Sequence, residues 1–496
     1  MSDIIRGTPT PSSTATQATE GITLKKDAIG LSEVLFQSIT AMAPAAAVAT
    51  ALSPAIPFAG GSLPLAVALA TVACALIASC IGQLAIHIPS AGGMYTYISR
   101  SLGARWGFLS AWTFLLAQPL LLPLVALVWG PYAEDIFHTL TGIDIPWYFW
   151  SILGNIILFA LTYYGIKLSA DVSVILGAIE ITIIVALSLT MIFTSGHNDL
   201  ATFTPVYSAE SGWGGIFQGM IFVFLAFVGF ETAAPLGEET AHPKRNIPRA
   251  VIYSAIGIGI YYVFASYAGV TGWGIPKIQD YAASAAPWAD LGKRYWGTVG
   301  PVIISFAILN SAIGNGNAGI NATSRVAYAM GRIGTLPRAF ARLSKHQTPV
   351  VGILVHTIMS IVVAIGCALL FGGVQNAFNL IGAVLTLGLL LLYFASCVSA
   401  FVFYRRERPQ DFRIWQHVIV PVVPLVVLCA VIYAQVWPIL PYPLDLTVPI
   451  VVVWLLLGVG YMVYLNRSNP LALERGKEVF LKDLEPEPKG LMEGLL

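Results

Sequence analysis

Residues 217–250 read FQGMIFVFLAFVGFETAAPLGEETAHPKRNIPRA. This stretch begins as an apolar helix, but Gly229, Glu231 and Pro235 then follow one another closely. Proline breaks the helical hydrogen-bond ladder, and a charged side chain at bilayer depth costs about 2.5–3.5 kcal/mol. Irregular backbone at that depth is tolerated only where protein or a water-filled cavity covers it. The stretch therefore predicts a membrane helix broken at a cavity, with a proline-kinked structural helix as the alternative.

The composition of the chain is that of a polytopic helical membrane protein. Of its 496 residues, 57% are hydrophobic and 10% are charged, whereas soluble domains carry about 25% charged residues. Apolar runs of about 20 residues recur from Leu31 to Leu465. The net charge of +1 gives no reason to expect nucleic acid as a partner, and the five cysteines all lie in apolar runs. We therefore expect neither a disulfide framework nor a metal site.

Hydropathy predicts an all-α protein with twelve transmembrane helices. The predicted spans are 31–56, 62–88, 104–131, 147–166, 170–194, 214–239, 248–273, 299–331, 349–371, 375–404, 416–438 and 444–466. They divide the chain into an N-terminal cytoplasmic tail (1–24), a transmembrane domain (25–466) and a C-terminal cytoplasmic tail (467–496). The N-terminal tail is rich in Ser, Thr and Pro and is predicted to be disordered.

The basic residues predict the orientation of these helices. All but three of the 26 Lys and Arg residues fall on segments that are cytoplasmic if the N-terminus is inside; the exceptions are Lys277, Lys293 and Arg294. This asymmetry predicts a multi-pass protein of the cell membrane with both termini in the cytoplasm. Residues 274–298 then form the longest external connection, and its Ala-rich part is a candidate short helix.

The first helix carries a second break, at Ala43-Pro44-Ala45. The small residues around Pro44 would let a ligand approach the backbone closely. The two broken helices begin two five-helix blocks, helices 1–5 and 6–10, and matched interruptions are what an inverted repeat would show. Two ordinary proline kinks are the alternative.

Several segments resemble the signatures of the amino acid–polyamine–organocation family of secondary transporters. They are Gly229-Phe230-Glu231 with Glu238-Glu239-Thr240 and 243–250, the loop 89–95 continuing to Arg100 and Gly103, 324–330 with 334–337, and the broken first helix. The resemblance implies a leucine-transporter-type fold with a five-plus-five inverted repeat, discontinuous helices 1 and 6, and two further C-terminal helices. Many family members have a triplet such as Gly-Ser-Gly where this chain has Ala43-Pro44-Ala45, and Pro44 offers no N–H.

The broken helices supply groups that could hold an amino acid. Unpaired amides at a helix N-terminus attract a carboxylate, and carbonyls at a C-terminal end attract an ammonium group. Alignment with the family pattern places the amides near Ala43, Ala45 and Ala46, and the carbonyls near Ala41, Phe227 and Val228. Leu225, Phe227 and Phe230 would wall an apolar pocket, and one of the aromatic rings would act as an outer lid. The predicted substrate-binding residues are Ala41, Ala43, Pro44, Ala45, Ala46, Gln118, Leu225, Phe227, Val228, Gly229, Phe230, Asn317 and Asn321.

Polar side chains recur on one face of the eighth helix. Asn310, Gly314, Asn317, Asn321 and Ser324 alternate at four- and three-residue spacings, which is the periodicity of a helix face. The stripe either lines the cavity or forms hydrogen bonds between helices. Gln118-Pro119 in the third helix is a weaker signal of the same kind.

Two acids lie deep in predicted membrane helices, Glu180 and Glu231. Several family members hold a lysine at the position that aligns with Glu180, where sodium-coupled relatives bind a cation. We expect Glu180 first and Glu231 second as carriers of a coupling proton, with sodium as the other candidate ion; a structural hydrogen-bonded acid is the alternative for each. Near the inner mouth, Glu238, Glu239, Arg245 and Arg249 are candidates for an intracellular gate of ion pairs or for topology signals.

These observations predict a secondary active transporter that moves an amino acid across the membrane by alternating access and proton symport. Its partners would be a small-molecule substrate and the lipid bilayer, without a cofactor. A polyamine or organic-cation carrier and an amino-acid exchanger are alternatives of the same class. A channel or a substrate-sensing receptor is the alternative from another class. The absence of nucleophile, zinc-protease and phosphate-loop motifs argues against an enzyme or an ATP-driven pump.

Overall fold

The computed structural model describes residues 24–477 except 210, 211, 285 and 438, and the described chain is helical throughout. Within those residues the extended pairing is limited to an isolated bridge between Ile29 and Thr240. Nearly all of the tail predicted for 1–24, and residues 478–496 of the tail predicted for 467–496, lie outside the described residues.

The α-helices are numbered in chain order. They are α1 (Leu31–Ala41), α2 (Pro44–Ala46), α3 (Ile56–Ala59), α4 (Leu63–His87), α5 (Met94–Leu102), α6 (Ala104–Ala117), α7 (Leu121–Thr141), α8 (Trp147–Tyr163), α9 (Ile166–Thr194), α10 (Trp213–Phe227), α11 (Pro243–Trp273), α12 (Ile278–Ala283), α13 (Pro287–Trp296), α14 (Gly300–Ile333), α15 (Val350–Leu370), α16 (Val374–Arg406), α17 (Val420–Val436), α18 (Thr447–Ser468) and α19 (Pro470–Glu474). Short 3₁₀ and π segments extend or join several of them, among them Ala47–Ala51, Gln118–Leu120, Phe230–Leu236 and Trp415–Ile419.

Eleven helical segments in the described part of the chain are long and apolar enough to cross a bilayer. The predicted fourth span corresponds to α8, which is apolar but has only 17 residues. The prediction of an all-helical membrane fold is confirmed. The count of twelve crossings and the inverted repeat remain predictions.

The broken helices lie at the centre of the bundle. α1 packs against α9, α11 and α14, and the 3₁₀ segment Phe230–Leu236 packs against α1, α11 and α14. These helices can approach one another closely because small residues lie at their contact surfaces. A Cβ on Gly314 of α14 would lie only 3.0 Å from Cβ of Thr40, for example. At the periphery, α17 and α18 present exposed Val, Leu and Ile side chains, which suit contact with lipid.

Several predicted boundaries differ from the structure, and two of them have a clear local cause. The third span continues as α7 to Thr141 and keeps Pro131 inside the helix, because one missing hydrogen bond does not end a long apolar helix. α9 begins at Ile166, directly after Gly165 with φ 130°, and not at 170. The external connection 274–298 contains two short helices, α12 and α13.

Candidate functional site

The first helix breaks at Ala43. α1 ends at Ala41, and Ala43 then adopts the left-handed conformation with φ 48° and ψ 63°. Helical structure resumes at Pro44, where proline is well suited because its missing N–H and fixed φ match the first position of a helix. The left-handed conformation costs an alanine roughly 1–2 kcal/mol, so the surrounding contacts must hold this bend in place.

The sixth predicted helix breaks at Val228 and Gly229, as the sequence indicates. α10 ends at Phe227, Val228 is extended, and Gly229 has φ 127° before the 3₁₀ segment Phe230–Leu236. A Cβ on Gly229 would lie 2.5 Å from the carbonyl carbon of Ala41. The two breaks are therefore in direct contact, and glycine is what allows the backbones to meet.

Side chains donate hydrogen bonds to carbonyl groups in and around the breaks. Asn315 Nδ2 donates to Ala41 O at 2.9 Å, and the Tyr261 hydroxyl donates to Pro44 O at 3.2 Å. The Tyr262 hydroxyl lies within hydrogen-bonding distance of both Met42 O and Ala226 O, between which it can share its one proton, so it bridges the two broken helices. The Ser38 hydroxyl donates to the carbonyl of Phe230 at 2.7 Å. These bonds fix the irregular backbone at bilayer depth.

A small cavity lies beside the two breaks. Four predicted residues line it: Ala43, Ala46, Leu225 and Val228. The other lining residues carry no signal that the sequence reasoning used: Met42, Ala47, Thr50, Ala51, Leu121, Leu124, Val125, Val128, Ala312, Asn315 and Phe378. The walls are thus almost entirely apolar, and the side chains of Asn315 and Thr50 supply the polar groups.

A wider vestibule, with an empty volume of about 1550 Å³, adjoins this cavity. Thr50, Val128 and Phe378 line both spaces, so the cavity adjoins the vestibule, which lies at the end of the molecule that carries the 274–298 connection. The vestibule walls are more polar than those of the cavity and include Asp135 and Gln375.

Two ion pairs close the opposite end of the molecule. Glu239 and Arg325 are fully buried, and Arg325 Nε and Nη2 donate to the two carboxylate oxygens of Glu239 at 2.7 and 3.2 Å. Glu238 accepts from Arg332 Nη1 and Nη2 at 2.9 and 2.6 Å. Such forked pairs between a guanidinium and a carboxylate are strong and directional. The Ile29–Thr240 bridge lies at the same end.

The arginines that pair with Glu238 and Glu239 differ from the ones predicted from the sequence. Glu238 and Glu239 do form ion pairs, but their partners are Arg325 and Arg332 of α14 and not Arg245 and Arg249. Both of the latter lie in the first turns of α11, and the buried Nε of Arg249 has no hydrogen-bond partner in the described structure. A useful signal was present, because Arg325 lies inside a predicted membrane span and a charge buried there requires a partner.

The amides of the inner half of the first helix are already occupied, which also differs from the prediction. Ala45 N donates to Glu180 Oε2 at 3.0 Å, and Ala46 N donates to the Ser311 hydroxyl at 3.2 Å. Ala43 N donates to Thr40 O at 3.0 Å. In this structure the amides that were assigned to a substrate carboxylate therefore bind groups of the protein itself.

Glu231 and the two predicted pocket rings are packed away from the cavity. Glu231 Oε2 accepts from Gly229 N at 3.1 Å and from the Tyr393 hydroxyl at 2.7 Å. Phe230 stacks on Tyr393 and Phe227 packs edge-on against Tyr262, and both phenylalanines are fully buried. Neither ring lines the cavity, and the aromatic side chain between cavity and vestibule is Phe378.

The polar stripe of α14 joins helices rather than lining the cavity. Asn317 Nδ2 donates to Ser169 O and to the Ser173 hydroxyl, and Asn321 Nδ2 donates to the Ser169 hydroxyl at 2.6 Å. This is the hydrogen-bonding alternative that the sequence left open. The cavity-lining amide of α14 is Asn315, which lies off the stripe between two glycines. Gln118 is fully buried in the 3₁₀ turn Gln118–Leu120 and does not line the cavity.

Comparison with known proteins identifies the family. The family described as amino acid permease matches residues 29–463, which is most of the chain. The chain belongs to the amino acid permease family. As a permease it is a multi-pass membrane transporter and not an enzyme.

Individual relatives of this permease carry amino acids or an amine. The branched-chain amino acid permease BcaP of Bacillus subtilis is 25% identical over 450 residues, covering 83% of this chain and 88% of that protein. The low-affinity putrescine importer PlaP of Escherichia coli is 28% identical over 305 residues, covering 59% of this chain and 65% of that protein. A crystal structure of a mutant manganese transporter from Eremococcus coleocola matches the fold with a TM-score of 0.54 at 12% identity, over 89% of this chain and 95% of that one.

Proposed function

We propose that this permease is a secondary active transporter that moves an amino acid across the cell membrane by alternating access. The observation that carries the proposal is one-sided access to the cavity. The cavity beside the two breaks adjoins the vestibule at one end, with Phe378 between the two spaces, while the ion pairs of Glu238 and Glu239 lie at the other end. A channel needs a continuous polar path, whereas a carrier needs a site that faces one side at a time.

The distribution of basic residues supports an outward-facing assignment for this state. If both termini are cytoplasmic, the ion-paired end faces the cytoplasm and the vestibule faces outside. A polar solute would then enter past Gln375 and Asp135 and reach the cavity beside Phe378.

Proton symport is the coupling that the buried acids favour, with sodium as the competing ion. Glu180 is the first candidate because its carboxylate binds the broken first helix itself, and it is fully buried. Glu231 is the second candidate because it binds Gly229 N in the other break. A proton that neutralised either acid would weaken a bond to the irregular backbone, which links ionisation to helix movement.

An amine carrier is the second candidate function, and one observation favours it. The free donors expected for a substrate carboxylate are taken by Glu180 and Ser311, while Asn315 Oδ1 is buried beside the cavity without a hydrogen-bond partner. Such a site offers an acceptor to an amino group before it offers donors to a carboxylate.

Transport in proteoliposomes tests the proposal. A thermal-shift screen against the twenty amino acids and common amines identifies ligands, since a ligand of the folded state raises the melting temperature. We expect saturable uptake of a screened ligand that is driven by an inward proton gradient and stops when the gradient collapses. Glu180→Gln should abolish ligand-driven pH change but leave counterflow of bound ligand. Flux that does not saturate would indicate a channel, and undiminished proton flux in Glu180→Gln would eliminate Glu180 as the carrier.

A further inference from the structure

We propose that Glu180 is an internal stand-in for the substrate's carboxylate: an amino acid occupies the first-helix amides only when Glu180 takes up a proton and leaves them. This inference rests on the proposed transport of amino acids and concerns the same site. A ligand carboxylate and a proton must then bind together, whereas an amine without a carboxylate needs no proton.

The backbone amides at the start of the inner half of the first helix all have hydrogen-bond acceptors. The helical run resumes at Pro44 and continues without interruption to Ala51. Pro44 has no N–H, Ala45 N binds Glu180 Oε2 at 3.0 Å, and Ala46 N binds the Ser311 hydroxyl at 3.2 Å. A carboxylate arriving from the cavity, which Ala43 and Ala46 line, finds no free donor there.

The bound carboxylate of Glu180 is only half satisfied. Its Oε1 is buried and makes no hydrogen bond within the described structure, and the side chain has no exposed surface. One backbone amide and the neighbouring Ser311 hydroxyl are a small set of partners for a charged group, so a second carboxylate at the same helix end would meet both repulsion and a shortage of donors.

The amino group of a ligand has a separate and available partner. Asn315 Nδ2 donates to Ala41 O, a carbonyl that can only accept, and this fixes Oδ1 as the other amide atom. Oδ1 is buried without a hydrogen-bond partner, on a residue that lines the cavity and is 8% exposed. An ammonium group can bind there whether or not Glu180 has moved.

Among the groups at this helix end, the Glu180 carboxylate is the one whose charge must change when a ligand carboxylate binds. The titratable side chains that face it are Tyr261 and Tyr262 of α11, whose hydroxyls are held by the carbonyls of Pro44 and Met42. The first helix presents backbone amides, and α14 presents Ser311. One proton from vestibule water would therefore pass to the Glu180 carboxylate, and the ligand carboxylate would replace it, so that the helix end keeps one negative charge throughout.

Matched ligand pairs test this linkage. L-leucine with isoamylamine, and L-alanine with ethylamine, share a side chain and an amino group but differ in the carboxylate. In the purified wild-type protein, we expect the affinity for the amino acid that binds to fall by up to tenfold per pH unit once Glu180 is ionised, because one bound proton gives a slope of one. The affinity for the amine should change by less than about twofold over the same range.

Two variants and one measurement without a variant decide the outcome. Glu180→Gln should remove the pH dependence for the amino acid, while Ser311→Ala, which removes a neutral partner of the same helix end, should keep it. Calorimetry of the wild-type protein in buffers of different ionisation enthalpy should show one proton taken up per amino acid and none per amine.

An unchanged pH slope in Glu180→Gln, or amino acid binding without proton uptake, would overturn the inference while leaving transport itself intact. Failure of every ligand to accumulate in proteoliposomes would overturn the proposed function instead.

Discussion

At the scale of single residues, two positions with positive φ make the breaks, and they do so by different means. Gly229 has φ 127° and lies against Ala41, so the absence of a side chain provides both the conformation and the space. Ala43 has φ 48° and keeps its methyl group, so neighbouring bonds must hold it. The first position admits one residue type, whereas the second is maintained by its surroundings.

Gly229→Ala should strongly destabilise the protein. Backbone strain alone costs about 1–3 kcal/mol at such a position, and the new Cβ would also lie 2.5 Å from the carbonyl carbon of Ala41. We expect a clear fall in the apparent melting temperature of the purified protein. Gly257→Ala is the matched control, because this α11 glycine has open space around it and alanine favours helix. Equal melting temperatures for both variants would show that the breaks do not touch.

The positions of breaks and acids were predictable from the sequence, and most of the cavity walls were not. Proline, glycine and glutamate oppose an unbroken apolar helix, so Pro44, Gly229 and Glu231 carry a signal wherever they occur. Leu124 and Phe378 carry none, because an apolar residue in a membrane helix suits the lipid, the core and the cavity equally. The partner of Glu180 was also hidden, since it is a backbone amide distant in the chain.

At the scale of elements, the inner closure joins α14 to the exit of the broken sixth helix. The Glu239–Arg325 pair is buried at 1% and 0% exposure, while Arg332 in the second pair is 22% exposed. Ala91 N also donates to Glu238 Oε1, and Ala28 N donates to Glu239 O. Movement of this exit would therefore disturb the loop before α5 and the segment before α1 together.

Glu239→Gln should favour opening of the inner end. Removing one partner of a buried ion pair costs about 3–5 kcal/mol, because Arg325 would remain charged and unpaired. The reporter is a cysteine introduced by Thr240→Cys in a background with Cys429→Ser. In the Glu239→Gln variant this cysteine should react with a thiol reagent at least about tenfold faster than in the same background with Glu239 intact.

Glu238→Gln is the control for this prediction, since its pair is more exposed and its loss should have a smaller effect. Reaction rates that rise equally in the two variants would contradict the ranking. No rise in either would show that these pairs do not hold the end closed.

At the scale of the whole molecule, the structure is open at one end and closed at the other. Helix boundaries were mostly predictable because long apolar runs define them. Access was not, because it depends on how helices distant in the chain pack, such as α7 against α14 and α16. The basic residues predict which end of the molecule is cytoplasmic. They do not predict how the helices pack against one another.

Labelling of intact cells should establish the orientation. Gln375 lies in the vestibule wall and Lys345 lies on the exposed connection between α14 and α15. Each is replaced by cysteine in a separate variant, Gln375→Cys and Lys345→Cys. In the Cys429→Ser background, a membrane-impermeant maleimide should modify the first in intact cells and the second only after lysis, because an excess of basic residues marks the cytoplasmic side. The reverse pattern would place the vestibule inside and make this structure an inward-facing state.

The ring of Phe378 has a consequence for how solutes are sorted. It separates a vestibule that includes Asp135 and Gln375 from a cavity whose walls are almost wholly aliphatic. A solute passing this ring must lose most of its hydration shell. The free-energy cost of this transfer is about 1–3 kcal/mol for each polar group that is left without a hydrogen-bond partner. Hydrophilic side chains are thus held back at the ring, before any of the solute reaches the helix ends. If this permease transports a solute by the proposed route, its selectivity would begin as a dehydration barrier at Phe378.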